Sequence, residues 1–397
     1  MTTIERAVPT GQVHGEYDDR FAPVIEEFVR NFAERREVGA SLCITHDART
    51  VVDVWGGTAD AASSRPWTSE TMSIVYSCTK GATALCAHVL ASQGKLDIEA
   101  PVAEYWPEFA VRGKERATVR MMLDHSVGVP VFRDPVERGE FYDWDRVIDR
   151  LEAEQPFWEP GTRNGYHMIN FGWTVGELVR RVAGQSLGSF FRTTIAEPLG
   201  LDFWIGLPES LEGRVAPMIP YVRSKGEPLS EFALTLLNEP TSIPALAVAN
   251  MSSANANSRE YHAAEIGGAG GITNARGLAG MYTPLAAGDA MLVDTATLQR
   301  MRRVSSATNC DATLRMATRF ALGFMVRMDN RDKRQKDSVV IPDGAFGHVG
   351  AGGSIGFADP AQAISFGYTM NRMGPGILLN ERGQSLIDAT YRVFDRD

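Results

Sequence analysis

The residues best suited to chemistry are a serine and a lysine three positions apart, Ser77 and Lys80, in the run YSCTKG at positions 76–81. This spacing places two side chains on one face of a helix, with Cβ atoms about 5–6 Å apart. Burial and the positive end of a helix dipole both lower the pKa of a lysine. A neutral Lys80 could take the hydroxyl proton of Ser77, and the Ser77 backbone N–H could stabilise an oxyanion. The pair therefore predicts a nucleophilic serine with a lysine as its base.

Other interpretations of the serines stay open. Ser77 by itself also fits a helix N-cap. A second Ser-x-x-Lys pair, Ser92 and Lys95, straddles the end of the predicted helix, so its side chains should not converge. The segment GGSIG at 352–356 matches a Gly-x-Ser-x-Gly nucleophile elbow around Ser354, which requires a strand, a turn and a helix, followed by a histidine. Strand patterns flank this segment on both sides and the last histidine precedes it, so we favour Ser77.

Two further segments carry polar groups on turns. Tyr166 lies in the turn-rich run 161–168, where a tyrosine can relay protons if nearby cations favour its phenolate; alternatively it packs its ring and hydrogen-bonds its hydroxyl. His167 beside it favours a packing or surface role. In the glycine-rich run 347–356, small residues let a strand edge approach a ligand, and His348 could donate to a carbonyl or carboxylate. The alternative there is a plain glycine-rich hairpin.

In chain order, Ser77-x-x-Lys80, Tyr166 and His348-x-Gly350 resemble the three active-site elements of the serine β-lactamase and penicillin-binding-protein superfamily. The resemblance is closest to class C-like members, in particular family VIII carboxylesterases, and it includes the segments 122–130 and 159–200. It implies these roles: Ser77 as acylated nucleophile, Lys80 as its base, Tyr166 as proton relay, the backbone N–H groups of Ser77 and Ala351 as oxyanion hole, and His348, Gly350 and His167 as substrate-binding residues.

Two departures from the family pattern bear on the substrate. The family's Tyr-x-Asn is YHM at 166–168 here, and its Lys-Thr-Gly is HVG at 348–350. Both changes weaken recognition of an anionic β-lactam and favour a neutral ester. We therefore expect a carboxylesterase that cleaves short-chain esters through a Ser77 acyl-enzyme, with weak β-lactam hydrolysis as a side reaction and without a metal or other cofactor. An amidase or D-aminopeptidase, an acyltransferase, and a non-catalytic ligand-binding relative remain alternatives.

The elements that must position these residues are strands near both ends of the chain and helices between them. Apolar periodicity predicts helices at 19–37, 172–183 and 380–394 and one that ends near Gly94, and strands at 40–45, 51–55, 321–328, 346–349, 355–358 and 363–370. The fold class is α/β (α+β), an antiparallel sheet flanked by N- and C-terminal helices with an inserted mostly helical domain, as in β-lactamases and transpeptidases. We expect an α/β domain from 1–76 and 285–397, a helical domain over 77–284, and the active site in the cleft between them. The proline-interrupted segment 205–265 is either a substrate-shaping region or connecting chain.

Composition excludes several function classes. The 397 residues carry a net charge of −9 with no basic run, which argues against nucleic-acid binding. No apolar stretch approaches the roughly 18 residues of a membrane span, and the N-terminus lacks the pattern of a secretion signal. The four cysteines show no disulfide or metal spacing. We expect a soluble, reduced, cytoplasmic protein whose partner is a small-molecule ester, with its oligomeric state left open.

A further glycine-rich run lies at 267–271. The segment GGAGG at 267–271 has no Gly-Lys-Ser/Thr ending, so it fails the phosphate-loop pattern. It predicts a close-packed turn, with Thr273 as the cap of the next helix.

Overall fold

The computed structural model describes residues 1–227, 229–252, 254–333 and 337–394. Its helices are α1 Ala22–Glu34, α2 Thr79–Ser92, α3 Val119–Leu123, α4 Trp144–Ala153, α5 Phe171–Ala183, α6 Leu187–Phe191, α7 Glu231–Asn238, α8 Ile243–Met251, α9 Arg259–Ala263, α10 Ala275–Ala287, α11 Thr295–Arg302 and α12 Glu381–Tyr391. Its strands are β1 Thr2–Val8, β2 Gly11–Tyr17, β3 Gly39–His46, β4 Arg49–Asp60, β5 Arg65–Pro66, β6 Ser73–Ile74, β7 Phe203–Trp204, β8 Ile272–Thr273, β9 Ser306–Thr308, β10 Thr318–Phe320, β11 Phe346–Val349, β12 Ile355–Asp359 and β13 Ile364–Met370.

The main sheet takes strands from both ends of the chain. Its order is β1-β2-β4-β3-β13-β12-β11, so the C-terminal strands continue the N-terminal ones. The pairing of β3 with β13 joins the two halves, with Cys43 opposite Gly367 and Leu42 opposite Tyr368. Every neighbouring pair along this order is antiparallel. The predicted α+β class with an antiparallel sheet is therefore confirmed.

Helices cover both faces of this sheet. Successive residues of a strand point to opposite faces, and β13 shows this directly. Gly367 faces α10, where an added Cβ would lie 2.5 Å from the Ala275 carbonyl oxygen. Tyr368 donates its hydroxyl hydrogen to Glu37, which is ion-paired at 2.7 Å with Arg382 of α12. The sheet therefore lies between α10 on one face and α12 on the other. Helix α1 contacts α12.

Helix α10 packs on the sheet. The predicted helical domain, 77–284, includes most of this helix. The helix contacts β3, β12 and β13. A Cβ added to Gly356 of β12 would lie 2.6 Å from Cγ of Leu278, which shows how closely helix and sheet approach. Helices α2, α5 and α6 contact one another as a separate helical layer. The division into two domains stays a prediction, and these contacts favour a boundary before α10.

The predicted helices are confirmed with small shifts at their ends. The helix predicted at 19–37 begins at Ala22, because a 3-10 turn over Asp19–Phe21 precedes it. Helix α5 ends at Ala183, and Gly184 follows with a left-handed φ of 68° as its C-cap. None of the described helices has the length and apolar character that crossing a membrane would require.

The strand predicted at 321–328 is wrong. Strand β10 lies earlier, at Thr318–Phe320, and pairs with β9. Beyond it, Gly323 adopts a φ of 84° and the N–H of Ala321 donates to the carbonyl of Phe324, so the chain turns there. The apolar composition of the segment predicted an extended strand, whereas a glycine in the left-handed region forms a turn.

Two regions carry elements that the sequence patterns did not reveal. Strands β1 and β2 form a hairpin at the sheet edge, and Ile4 is the buried residue of β1, so the hairpin has no apolar alternation. The segment 205–265 contains α7, α8 and α9. Pro244, which we took as an interruption, lies in the first turn of α8, where proline is favoured.

Candidate active site

Ser77 lies on a tight turn between β6 and the start of α2. The residue before it, Tyr76, has a φ of 42°, a left-handed conformation that is costly for a non-glycine residue. The hydroxyl and N–H of Thr79 both donate to the Tyr76 carbonyl, and Gly271 donates its N–H to the Thr79 hydroxyl at 2.8 Å. These contacts hold the strained turn, which fixes the direction of the Ser77 side chain.

Lys80 is the central group of the site. It lies in the first turn of α2, is fully buried, and places Nζ 2.9 Å from the Ser77 hydroxyl oxygen. The same Nζ donates to the carbonyl oxygens of Met168 and Gly268, each at 2.6 Å. Among the described residues, no carboxylate forms an ion pair with Lys80.

Burial favours the neutral form of Lys80. Burial lowers its pKa well below the ordinary value of a lysine. A neutral amine has two hydrogens and one lone pair, and the carbonyls of Met168 and Gly268 can only accept hydrogens. In the neutral form, the lone pair would be directed at the Ser77 hydroxyl. In that form Lys80 could accept the Ser77 proton, and this role stays a prediction.

Tyr166 lies beside this pair. Its ring centroid is 4.8 Å from Lys80 Nζ, and its hydroxyl is buried without a hydrogen bond among the described residues. Burial raises the pKa of the phenol, and the nearby Ser77 hydroxyl acts in the opposite direction although it lies outside hydrogen-bond geometry. The sequence predicts a proton relay if nearby cations favour the phenolate of Tyr166. The raised pKa instead favours the phenol, which can donate a proton.

The end of β11 approaches the Ser77 turn from the sheet. Cys78 donates its thiol hydrogen to the His348 carbonyl at 3.2 Å. A Cβ added to Gly350 would lie 2.2 Å from the Val75 carbonyl oxygen, so the close approach requires glycine. Within the described chain, the N–H groups of Ser77 and Ala351 donate to no protein acceptor, and both residues are half-buried. The two groups are therefore free to bind a substrate oxygen.

Two histidines predicted to contact substrate are buried and neutral. His348 donates from Nδ1 to the Val349 carbonyl at 2.7 Å, and burial, with a smaller effect of Lys80, lowers its pKa to about 3. His167 donates from Nδ1 to the Gly165 carbonyl at 2.8 Å, and burial lowers its pKa to about 3. The burial of His167 agrees with the packing role considered from the sequence. Contact of either side chain with substrate stays a prediction.

The two competing serines lie in other environments. Ser354 is fully buried between β11 and β12, and a strand follows it instead of the helix that a nucleophile elbow requires. Ser92 is the last residue of α2, and its hydroxyl accepts the N–H of Asp294 at 2.8 Å. Lys95 lies beyond the helix end with an exposed side chain. Ser77 is thus the serine that the fold places against a lysine.

Sequence reasoning missed the carbonyl groups that bind Lys80. The run 267–271 is the close-packed turn that we predicted, since a Cβ added to Gly268 would lie 2.4 Å from the Ile169 carbonyl oxygen. It also supplies the Gly268 carbonyl to the site, and a backbone oxygen leaves no signal in a sequence. The predicted cap is wrong: Thr273 lies in β8, and Asn274 caps α10 by accepting the N–H of Gly277 at 2.8 Å.

Comparison with known proteins identifies relatives over nearly the whole chain. The Beta-lactamase family model matches residues 24–388. The esterase/beta-lactamase LipL of Mycobacterium tuberculosis is 33% identical over 382 residues, which cover 94% of this chain and 86% of LipL.

Solved structures show the same similarity. A family VIII carboxylesterase superposes with a TM-score of 0.84 at 38% identity, covering 96% of this chain and 99% of that one. A penicillin-binding protein homologue from Caulobacter crescentus gives a TM-score of 0.85 at 33% identity, again covering 96% and 99%. The family match at 24–388 spans the whole site, from Ser77 to Ala351. The fold is thus β-lactamase/transpeptidase-like, and the chain belongs to the beta-lactamase family.

Proposed function

We propose that this chain is a serine hydrolase that cleaves short-chain carboxylic esters through an acyl-enzyme on Ser77. The observation that carries the proposal is the 2.9 Å contact between Lys80 Nζ and the Ser77 hydroxyl oxygen. The amine is fully buried, and its other contacts are carbonyl oxygens. The names of the relatives, an esterase/beta-lactamase and a family VIII carboxylesterase, support an ester as substrate.

Acylation begins with proton transfer from Ser77 to Lys80. The Ser77 oxygen attacks the ester carbonyl carbon, and the resulting oxyanion accepts hydrogen bonds from the N–H groups of Ser77 and Ala351. The bond to the leaving alcohol then breaks. Tyr166 gives its phenolic proton to the departing oxygen and regains one from Lys80, so that alcohol is released and the site returns to its resting protonation.

Deacylation uses the same groups in reverse order. A water molecule gives a proton through Tyr166 to the neutral Lys80 and attacks the acyl carbonyl. The oxyanion again binds at the two N–H groups, and Ser77 leaves and regains its proton. The carboxylic acid product departs, and neither step requires a metal or an organic cofactor.

The charge of the site favours a neutral substrate. His348 stands where the family pattern has a lysine, and its pKa of about 3 keeps it uncharged at neutral pH because it is buried. A β-lactam carries a carboxylate that would meet no permanent cation at this position. We therefore infer that esters are the main substrates and that β-lactam hydrolysis is a weak side reaction.

The site lies where the helical layer meets the sheet, and this supports the proposed cleft between two domains. Ser77 lies in the turn before α2 and Lys80 in the first turn of α2, while Tyr166 precedes α5 and Ala351 follows β11. For location, we propose a cytoplasmic enzyme, since all four cysteines are free thiols and reduced thiols are typical of that compartment. Its partner is a small-molecule ester, and the acidic net charge of −9 supports no role in nucleic-acid binding.

The test is turnover of p-nitrophenyl butyrate by the wild type, Ser77→Ala and Ser354→Ala. We expect Ser77→Ala to lose at least about a thousandfold in kcat/KM. Ser354→Ala is the matched control, since it removes another buried serine hydroxyl of the same region, and it should keep most of the activity. The reverse pattern would make Ser354 the nucleophile and overturn the proposal.

Two further measurements separate the alternatives. A serine-directed phosphonate should add its mass to Ser77 in the wild type and to no residue in Ser77→Ala. An unreactive wild type without turnover would indicate a non-catalytic relative. Faster cleavage of p-nitrobutyranilide than of the matching ester would indicate an amidase, and a preference for added alcohol over water as acceptor would indicate an acyltransferase.

A further inference from the structure

The loop that carries Tyr166 is fixed by a carboxylate 145 residues further along the chain. The backbone N–H of Tyr166 donates to both oxygens of Asp311, at 3.0 and 3.1 Å. Asp311 is fully buried. The contact therefore fixes the peptide group from which the Tyr166 side chain projects, without solvent competition.

Asp311 does more than cap its own turn. It accepts the N–H groups of Thr313 and Leu314, each at 2.8 Å, which is the local pattern of an aspartate-capped turn. Thr318 adds a hydroxyl donor at 3.3 Å. Burying a carboxylate is costly unless it is paired or hydrogen-bonded, and Asp311 forms no ion pair among the described residues. The N–H groups of Thr313 and Leu314 donate to Oδ1 of Asp311, and the Thr318 hydroxyl donates to Oδ2. The Tyr166 N–H is shared between the two oxygens.

The position of the Tyr166 hydroxyl follows from the backbone that carries it and from the packing of its ring. The neighbouring N–H groups of Gly165 and His167 also anchor this loop, to the carbonyl and Nδ1 of His125, and Asp311 is the anchor of the Tyr166 N–H itself.

The Tyr166 ring stacks on Phe320, with centroids 5.7 Å apart and planes 7° apart, which permits sliding in the plane of the ring. Its hydroxyl has no hydrogen-bond partner among the described residues. Burial raises the pKa of Tyr166, and an ionised Asp311 adds to this shift and so favours the phenol over the phenolate. Burial also raises the pKa of Asp311 itself.

We propose that Asp311 is a positioning residue for the Tyr166 proton relay: it anchors the Tyr166 backbone so that the phenol meets the Ser77–Lys80 pair. This inference rests on the proposed function, in which Tyr166 passes protons to and from the reacting oxygens. Asp311 does not touch the reacting atoms. Its effect on the reaction should therefore disappear when the Tyr166 hydroxyl is removed.

The experiment is a double-mutant cycle on kcat/KM with p-nitrophenyl butyrate. Asp311→Asn keeps the size of the side chain but replaces one acceptor oxygen with an NH₂ group that faces donors. We expect Tyr166→Phe alone to lose about a hundredfold and Asp311→Asn alone to lose about tenfold or more. In the Tyr166→Phe background, Asp311→Asn should cost less than about twofold. Equal losses in both backgrounds would mean independent effects and would overturn the inference.

Asp124→Asn is the matched control. Asp124 is another buried carboxylate near the same loop, and it accepts hydrogen bonds from Ser126 and Ser305 but not from the Tyr166 N–H. Its substitution should have the same fold effect in both backgrounds. If Asp311→Asn fails to fold, Thr318→Val removes one hydrogen bond to Asp311 and should show the same pattern with smaller losses.

The outcomes separate this inference from the proposed function. Full activity of Tyr166→Phe would remove Tyr166 from the proposed mechanism and would overturn the role of Asp311 with it. A large loss in Tyr166→Phe with equal losses for Asp311→Asn in both backgrounds would leave the mechanism standing and overturn only the positioning role.

Discussion

Replacing Lys80 with methionine should change how folding stability depends on pH, in addition to abolishing activity. In the folded protein, burial lowers the pKa of Lys80 well below its ordinary value. In the unfolded chain the amine is solvated and keeps a pKa of about 10.4. Between these two pKa values, Lys80 is neutral when folded and charged when unfolded. Unfolding therefore takes up one proton at this residue.

The size of the effect follows from that proton. Because the unfolded state binds one more proton than the folded state, the free energy of unfolding rises with pH by about 1.4 kcal/mol per pH unit. Methionine has a similar length and no titrating group, so the variant lacks this contribution. The variant also loses the contacts of Nζ with the Met168 and Gly268 carbonyls, but that loss does not depend on pH. Relative to the wild type, Lys80→Met should gain about 1.4 kcal/mol for each unit by which the pH falls.

The assay is urea unfolding of both proteins at pH 9, 8 and 7, followed by tryptophan fluorescence. Lys95→Met is the control, since Lys95 is exposed and its substitution should leave the pH dependence of the wild type unchanged. A stability difference between Lys80→Met and wild type that does not change with pH would show that Lys80 is protonated in the folded protein. It could not then act as the base for Ser77, and the reasoning would be refuted.

Two other substitutions or modifications test the geometry around the nucleophile. Gly350→Ala should lower kcat/KM by about a hundredfold, because its Cβ would lie 2.2 Å from the Val75 carbonyl oxygen and displace Ala351; Gly213→Ala, whose Cβ meets no atom within 4 Å, should have no effect. Iodoacetamide should modify the exposed Cys310 with little loss of activity, which mass spectrometry and turnover would measure. The other three cysteines, Cys43, Cys78 and Cys86, should not react, because they are buried and burial raises the pKa of their thiols. Rapid modification of Cys78 in the folded protein would contradict this account of the Ser77 turn.

The sequence predicted those parts of the site that are made of side chains at fixed spacing. Ser77 and Lys80 are three residues apart at the start of one helix, so local geometry alone brings them together. The Gly268 and Met168 carbonyls and the Asp311 carboxylate were not predictable in this way. They reach the site from distant segments, and a backbone oxygen is the same in every residue. Only the tertiary structure reveals which carbonyl faces the amine.

The fold could be predicted where apolar periodicity is strong. Helix α5 was predicted within one residue because its apolar residues repeat at helical spacing. Strand β11 was predicted with its observed ends, although all four of its residues are buried and no alternation marks it. The hairpin of β1 and β2 was not predicted, because most of its side chains are exposed and leave no apolar pattern in the sequence. The false strand at 321–328 arose because an apolar segment was assumed to be extended, whereas Gly323 turns it. Periodicity thus fails where a strand lies at an edge or where a single backbone angle decides the path.

The electrostatics of the site support the proposed role of Lys80 without a carboxylate partner among the described residues. A neighbouring carboxylate would stabilise the ammonium and raise the pKa of Lys80, which would make it a poor base. Instead, burial has the largest effect on the pKa of Lys80. The histidines around Lys80 are neutral for the same reason, since burial lowers the pKa of His125, His167 and His348.

In the proposed mechanism, the charges that form are then one ammonium on Lys80 and one oxyanion at the Ser77 and Ala351 N–H groups. The two arise together from an uncharged Ser77–Lys80 pair and a neutral ester, so they attract each other in a medium of low dielectric constant. A substrate carboxylate would bring a second negative charge into that medium with no cation to meet it. In this mechanism, the same absence of a neighbouring charge that would make Lys80 a base would therefore favour uncharged esters.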